Sequence, residues 1–80
     1  MRLDKFLKVS RLIKRRTIAN EACDAGRVSV NGKVARASYD IKVGEIIEIA
    51  FGAKNVKVEV LSIAESIHKE DANYMYRIIE

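Results

Sequence analysis

Apolar residues recur along the chain with two periods, and the change from one to the other divides it. In residues 2–9, at about 100° per residue, Leu3, Phe6 and Leu7 share one face while Arg2, Lys5 and Lys8 share the other, which predicts an amphipathic helix with a basic outer stripe. Ser10 to Arg16 break that period by crowding Arg11, Lys14, Arg15 and Arg16 around Leu12 and Ile13, so this stretch reads as a turn or loop. From Arg16 to Ala25 the spacing of Ala19, Ala22 and Cys23 is helical again, and Gly26 follows as a residue able to take positive φ beyond a helix end. Small inward side chains let this second helix lie close to the first, with Cys23 acting as a small core hydrophobe rather than a reactive thiol.

After Gly26 the period becomes two. Val28 and Val30 alternate with Arg27 and Ser29 before Asn31-Gly32, a strong signal for a two-residue hairpin turn, and Lys33 to Ala35 form the returning strand. Ala37 to Lys42 lead to a turn at Val43-Gly44. Glu45 to Phe51 read as a strand, Gly52 to Asn55 as a turn, and Val56 to Ile63 as a further strand. Ala64 to Asn73 are polar and mixed in charge, a mobile-loop composition, and Tyr74 to Ile79 have the β-branched and aromatic content of a closing strand. The expected fold class is therefore α+β: two short N-terminal helices packed on a small antiparallel sheet of four to five strands.

Eighty residues point to one domain spanning 1–80, since a chain of this size buries only about 60% of its unfolded surface. One cysteine excludes an internal disulfide, and with one histidine there is no Cys/His cluster of metal-ligand spacing, so no metal or other cofactor is expected. Charges interrupt every apolar run, which argues against a signal peptide or a membrane span and places the protein in the cytoplasm. The four glycines all fall at turn positions rather than in a phosphate-binding fingerprint, the acids are scattered, and His68 has no evident partner. The chain does not read as an enzyme.

Charge changes the picture most. Residues 1–36 hold ten basic residues against three acidic, a net of +7, whereas residues 37–80 hold five against eight, a net of −3. A basic helix face is often merely solvated, but here Lys14, Arg15 and Arg16 extend the stripe across the loop, and Arg27 and Lys33 can rejoin it from the hairpin. That convergence favours an anion-binding surface for folded nucleic acid. Phe6 and Phe51 fall on apolar faces, and Tyr39, Tyr74 and Tyr76 read as core or edge residues, so base stacking is not expected to contribute. A protein-interaction adaptor and a helix-turn-helix DNA binder are the competing readings; the second lacks a clear recognition helix.

Arg2-Leu3-Asp4-Lys5-Phe6-Leu7, then Arg16, Ala19, Gly26, Val28, Val30-Asn31-Gly32, Ser38 and Val43-Gly44-Glu45 in order, closely resemble the RNA-binding domain first described in small-subunit ribosomal protein four, the S-four or αL RNA-binding motif. The resemblance covers about residues 1–51, with strands at 56–79 closing the domain. Lys8 to Arg16 and Asn73-Tyr74-Met75-Tyr76 further resemble small, free-standing members that act in ribosome-associated quality control. It implies that Arg2, Lys5, Arg11 and Arg16 face RNA, with Lys8, Lys14, Arg15, Arg27 and Lys33 as supporting contacts. Asp4 and Asn31 occupy motif positions; Asp4 would orient a neighbouring Arg or Lys, or pair with Lys8 along the helix. Where many members have Ser or Thr before the motif arginine, Arg15 stands here, so the second helix should lack its side-chain cap and start at Thr17.

The same resemblance implies a monomer that binds the large ribosomal subunit through its rRNA and peptidyl-tRNA, beside the factor that adds alanine to stalled chains. Heat-shock-type ribosome-recycling proteins share the fold but carry a long basic C-terminal extension, whereas this sequence ends at Glu80.

Overall fold

The computed structural model describes residues 1–63 and 75–79. Helices α1 (Leu3–Val9) and α2 (Arg16–Asp24) precede strands β1 (Val28–Val30), β2 (Lys33–Val34), β3 (Ile46–Phe51), β4 (Lys54–Val60) and β5 (Tyr76–Ile79). The strands form one antiparallel sheet in the order β2-β1-β3-β4-β5, the α+β class read from the sequence. The expected loop at 64–73 lies outside the described residues.

The predicted faces hold the two layers together. Leu3, Phe6 and Leu7 of α1 and Ala19 and Cys23 of α2 are buried against Val28, Ile47, Ile49, Val58 and Val60 of the sheet. Each large aliphatic or aromatic side chain in such a core contributes about 1.5–3 kcal/mol. Burial pushes the Cys23 thiol up to about 11, with the charges of Asp4 and Asp24 adding to the shift, so it remains protonated at neutral pH and packs as an apolar group.

Helix ends and turns follow their local chemistry. Gly26 takes φ +78°, with its N–H donating to the Cys23 carbonyl and the Arg27 N–H to that of Ala22, the pair of bonds that defines a Schellman stop. Asn31 and Gly32, at φ +52° and +85°, make the tight hairpin turn. Helix α2 begins at Arg16, one residue earlier than the Thr17 start anticipated from the missing cap; Arg15 precedes it without a side-chain cap bond, as expected. The turn after β3 is shorter than predicted. Phe51 pairs with Lys54, so Gly52 and Ala53 alone reverse the chain and β4 spans Lys54–Val60 rather than 56–63.

Helix α1 starts without a side-chain cap from Arg2, because the connection after β2 satisfies its first amides. The Leu3 N–H donates to the Tyr39 carbonyl at 2.8 Å and the Asp4 N–H to that of Ala37 at 3.2 Å. The N-terminal amine pairs with Asp40 at 2.9 Å, and the Ile41 N–H donates to the Met1 carbonyl. Buried Ala35, Ala37 and Ile41 anchor that connection in the core. The consequence is positional: Arg2 and Asp4 sit on a fixed helix start rather than a fraying terminus.

Candidate nucleic-acid interface

Asp4 is one of only two buried polar residues among those described, and it is the centre of the site. Its Oδ1 accepts from Arg2 Nε at 3.1 Å, from Arg16 Nη2 at 3.3 Å and from the Lys5 backbone N–H at 2.8 Å. Its Oδ2 accepts from Asn20 Nδ2 at 3.2 Å and from Arg2 Nη2 at 3.4 Å. The side chain of Asp4 is 3% exposed, against 51% for Arg2 and 46% for Arg16. Burial raises the carboxyl's pKa, but the hydrogen bonds from Arg2, Asn20 and Arg16, together with the Arg16 charge, outweigh burial and hold it below the ordinary carboxylate value. It is an anion at neutral pH.

One negative charge therefore faces two positive ones, leaving a net +1 at the helix pair. A guanidinium has five N–H donors, and the bonds to Asp4 use two from Arg2 and one from Arg16. Half of each guanidinium side chain remains in solvent, oriented from behind. Such a fork is suited to a phosphate, because the ordering of a long side chain has occurred before the ligand arrives.

The second arm of this arrangement depends on helix spacing. Arg16 and Asn20 are four residues apart on α2 and so share one face, turned to Asp4 on α1. Asn20 was not among the residues singled out from sequence, although its i+4 relation to Arg16 was available. Lys8, the alternative partner considered for Asp4, lies exposed in the last turn of α1 and is not among the residues bonded to that carboxylate.

Apart from Lys5, the other predicted basic residues do not converge on Asp4. Lys5 is half-buried beside it, and Arg11 and Arg15 are exposed in the inter-helix connection. Arg11 adopts φ +65°, a left-handed conformation in which a residue with a Cβ costs about 1–2 kcal/mol. Lys14 and Arg27 border a hollow on the other flank of α2, with Leu12, Ile18 and Phe51. Lys33 lies with Arg36 and Tyr39 in a third, beside the hairpin. The basic surface is thus built as three neighbourhoods, of which, among the described residues, only the first has a buried organising anion.

Asn31 is a brace of the hairpin. Its Oδ1 accepts from the Ile46 N–H at 3.0 Å and its Nδ2 donates to Glu45 Oε2 at 3.3 Å, while Tyr39 Oη donates to the same carboxylate oxygen at 2.5 Å. That bond and Glu45's charge raise the phenol's pKa. Tyr39 is accordingly an exposed, hydrogen-bonded residue rather than a core one. The reading of Phe51 also changes: its ring is 43% exposed. It has the inward parity of Ile47 and Ile49, but continuing the β1–β3 register places Gly26 opposite it, with no side chain to cover the ring.

Residues 1–47, which include both helices, the hairpin and Asp4 with all its partners, match the S4 domain family. This chain belongs to the S4 domain family. A Streptococcus pneumoniae protein named RQC P-site tRNA stabilizing factor is 57% identical over 79 residues, covering 99% of this S4 chain and 90% of that protein. A protein of the same name from Halalkalibacterium halodurans is 54% identical over 78 residues, covering 98% and 89%. Among solved structures, the trimeric heat shock protein 15 of Vibrio cholerae superposes with a TM-score of 0.90 at 28% identity, covering 99% of this chain and 81% of that one. This chain thus shares its fold with heat shock protein 15.

Proposed function

We propose that the whole chain acts as one non-catalytic RNA-binding unit of ribosome-associated quality control. It binds the obstructed large ribosomal subunit through rRNA and tRNA and supports C-terminal alanine tailing of stalled nascent chains. The observation that carries this reading is the buried Asp4 carboxylate, which holds two half-exposed guanidinium groups in a fixed relation. The names of the relatives with more than half their residues identical point to the same setting.

In this mechanism Arg2 and Arg16 grip phosphates of a folded RNA junction, where shape rather than open base sequence is presented. Lys5 and Arg11 face the RNA with them, and Lys8, Lys14, Arg15, Arg27 and Lys33 add supporting contacts. The protein works as a rigid wedge: it holds a tRNA in place between elongation steps and takes no part in bond making. A monomer in the cytoplasm, with the alanine-tailing factor as its neighbour on the subunit, fits this role. Among the described residues no helix is long and apolar enough to cross a membrane. A second reading, ribosome recycling of the heat-shock type, draws on the structural likeness to heat shock protein 15.

Co-sedimentation with large subunits distinguishes these. Wild-type protein should bind subunits carrying peptidyl-tRNA more tightly than vacant ones, and Arg2→Ala with Arg16→Ala should lose at least about tenfold in affinity, as expected for charge-assisted hydrogen bonds. If about five phosphates are contacted, log K should fall against log salt with a slope of roughly −4. Equal binding to vacant subunits would favour recycling. A flat salt response would remove the phosphate contacts from the mechanism.

A further inference from the structure

The flank of α2 opposite Asp4 carries a second feature. At about 100° per residue, Ile18 and Ala22 point away from the Arg16–Asn20 face, and with Leu12, Ile13, Phe51 and the edge of β3 they line an open hollow of about 380 Å³. Ile18 is 49% and Phe51 43% exposed, an unusual pair of large apolar side chains to leave together in solvent on so small a protein. Lys14 and Arg27 stand on the rim; among the described residues no carboxylate lines it and neither cation has a side-chain hydrogen bond or ion pair.

The pieces of this groove are fixed. The Ala50 N–H donates to the Arg27 carbonyl at 2.9 Å, so Arg27 is tied by its backbone to the strand that ends in Phe51. The Ile13 N–H donates to the Leu7 carbonyl at 3.0 Å, which seats the inter-helix connection and Lys14 with it. An aromatic ring and an aliphatic floor beneath two uncompensated cations match a ligand that is flat and apolar on one side and anionic on the other.

Resting on the RNA-binding reading above, we propose that this groove takes one unstacked nucleotide of a single-stranded RNA segment. Its base lies against the Phe51 ring and the Leu12–Ile18 floor, and its flanking phosphate is held between Lys14 and Arg27. Stacking on an aromatic ring tolerates any base, so the site senses that the RNA is unpaired rather than what its sequence is. Together with the Asp4-centred forks on the opposite flank, it would let an RNA straddle α2, so that the protein reads a helix joined to a loop.

The test uses the full chain and two RNAs, a hairpin with an unpaired loop and the same stem closed as a blunt duplex. Phe51→Ala should weaken hairpin binding about tenfold and leave duplex binding unchanged, while Phe51→Tyr retains the wild-type preference. Amide shifts at Gly52 and Ala53 on adding hairpin, absent with duplex, should accompany it. If Phe51→Ala binds both RNAs as the wild type does, or loses both equally, the nucleotide site is overturned, and an apolar segment of a protein partner becomes the occupant. Should Arg2→Ala with Arg16→Ala still lose duplex binding in that case, the general RNA reading survives without the groove. Wild-type protein that binds neither RNA would overturn both.

Discussion

Two ion pairs in this molecule show how little a short distance says about importance. On the sheet, Arg77 Nη2 lies 2.6 Å from Glu59 Oε1, across a registered pair of β4 and β5, and the arginine side chain is 66% exposed. In the helical layer, the shortest ion-pair distance from Asp4 to a guanidinium is 3.1 Å. Yet the Asp4 carboxylate is buried and shared among five donors from the start of α1 and from α2, whereas Glu59 is 27% exposed and its partner, Arg77, lies mostly in solvent. Exposed pairs are worth about 0–1 kcal/mol. A buried anion without its partners is far costlier, and one with them fixes whatever it holds.

The contrast is sharpest in stability. Asp4→Ala leaves Asn20 and the Lys5 amide without their acceptor and releases both arginines, and should cost about 2 kcal/mol in chemical denaturation. The figure lies below that for a fully buried pair because the two arginines can turn to water. Asn20→Ala, which removes one donor to a buried carboxylate, should cost about 1 kcal/mol, and should also weaken RNA binding although Asn20 is assigned no contact with RNA. Arg77→Ala should cost less than about 0.5 kcal/mol despite the shorter bond. If Arg77→Ala proved as damaging as Asp4→Ala, burial would not be what separates the two regions.

Acid should loosen the Asp4 cluster. Asp4 has its pKa lowered by folding, so the stability it supplies is present above its unfolded value, near 3.8, and is lost as pH falls through the lower folded value. The gap in unfolding free energy between wild type and Asp4→Ala should therefore be constant near neutrality and narrow below about pH 4. A gap that widened in acid would mean the carboxyl is held protonated in the fold.

Much of this architecture was legible because the local signals agree with one another. Leu3, Phe6 and Leu7 have one helical face and no other place to go, and Gly26 and Asn31-Gly32 stand where positive φ is needed. The charged residues of the site were legible as types, and Asp4 and Arg16 by their motif positions. What the sequence did not disclose depends on neighbours distant along the chain. The cap of α1 comes from carbonyls at Ala37 and Tyr39, Asn20 matters because α2 lies against α1, and Phe51 stands beyond the paired part of β1, across from Gly26. Period-two alternation marks which way Phe51 points; it does not show where the covering layer ends.

In the proposed function Asp4 serves RNA binding by orienting cations, and one substitution separates this from plain electrostatics. Asp4→Asn removes a negative charge from a basic surface and nearly preserves shape, so attraction between net charges alone would tighten binding. Measured by RNA titration at fixed salt with folded protein, the expected result is instead a loss of about tenfold or more, with a shallower salt slope than the wild type. Binding as tight as or tighter than the wild type would contradict it.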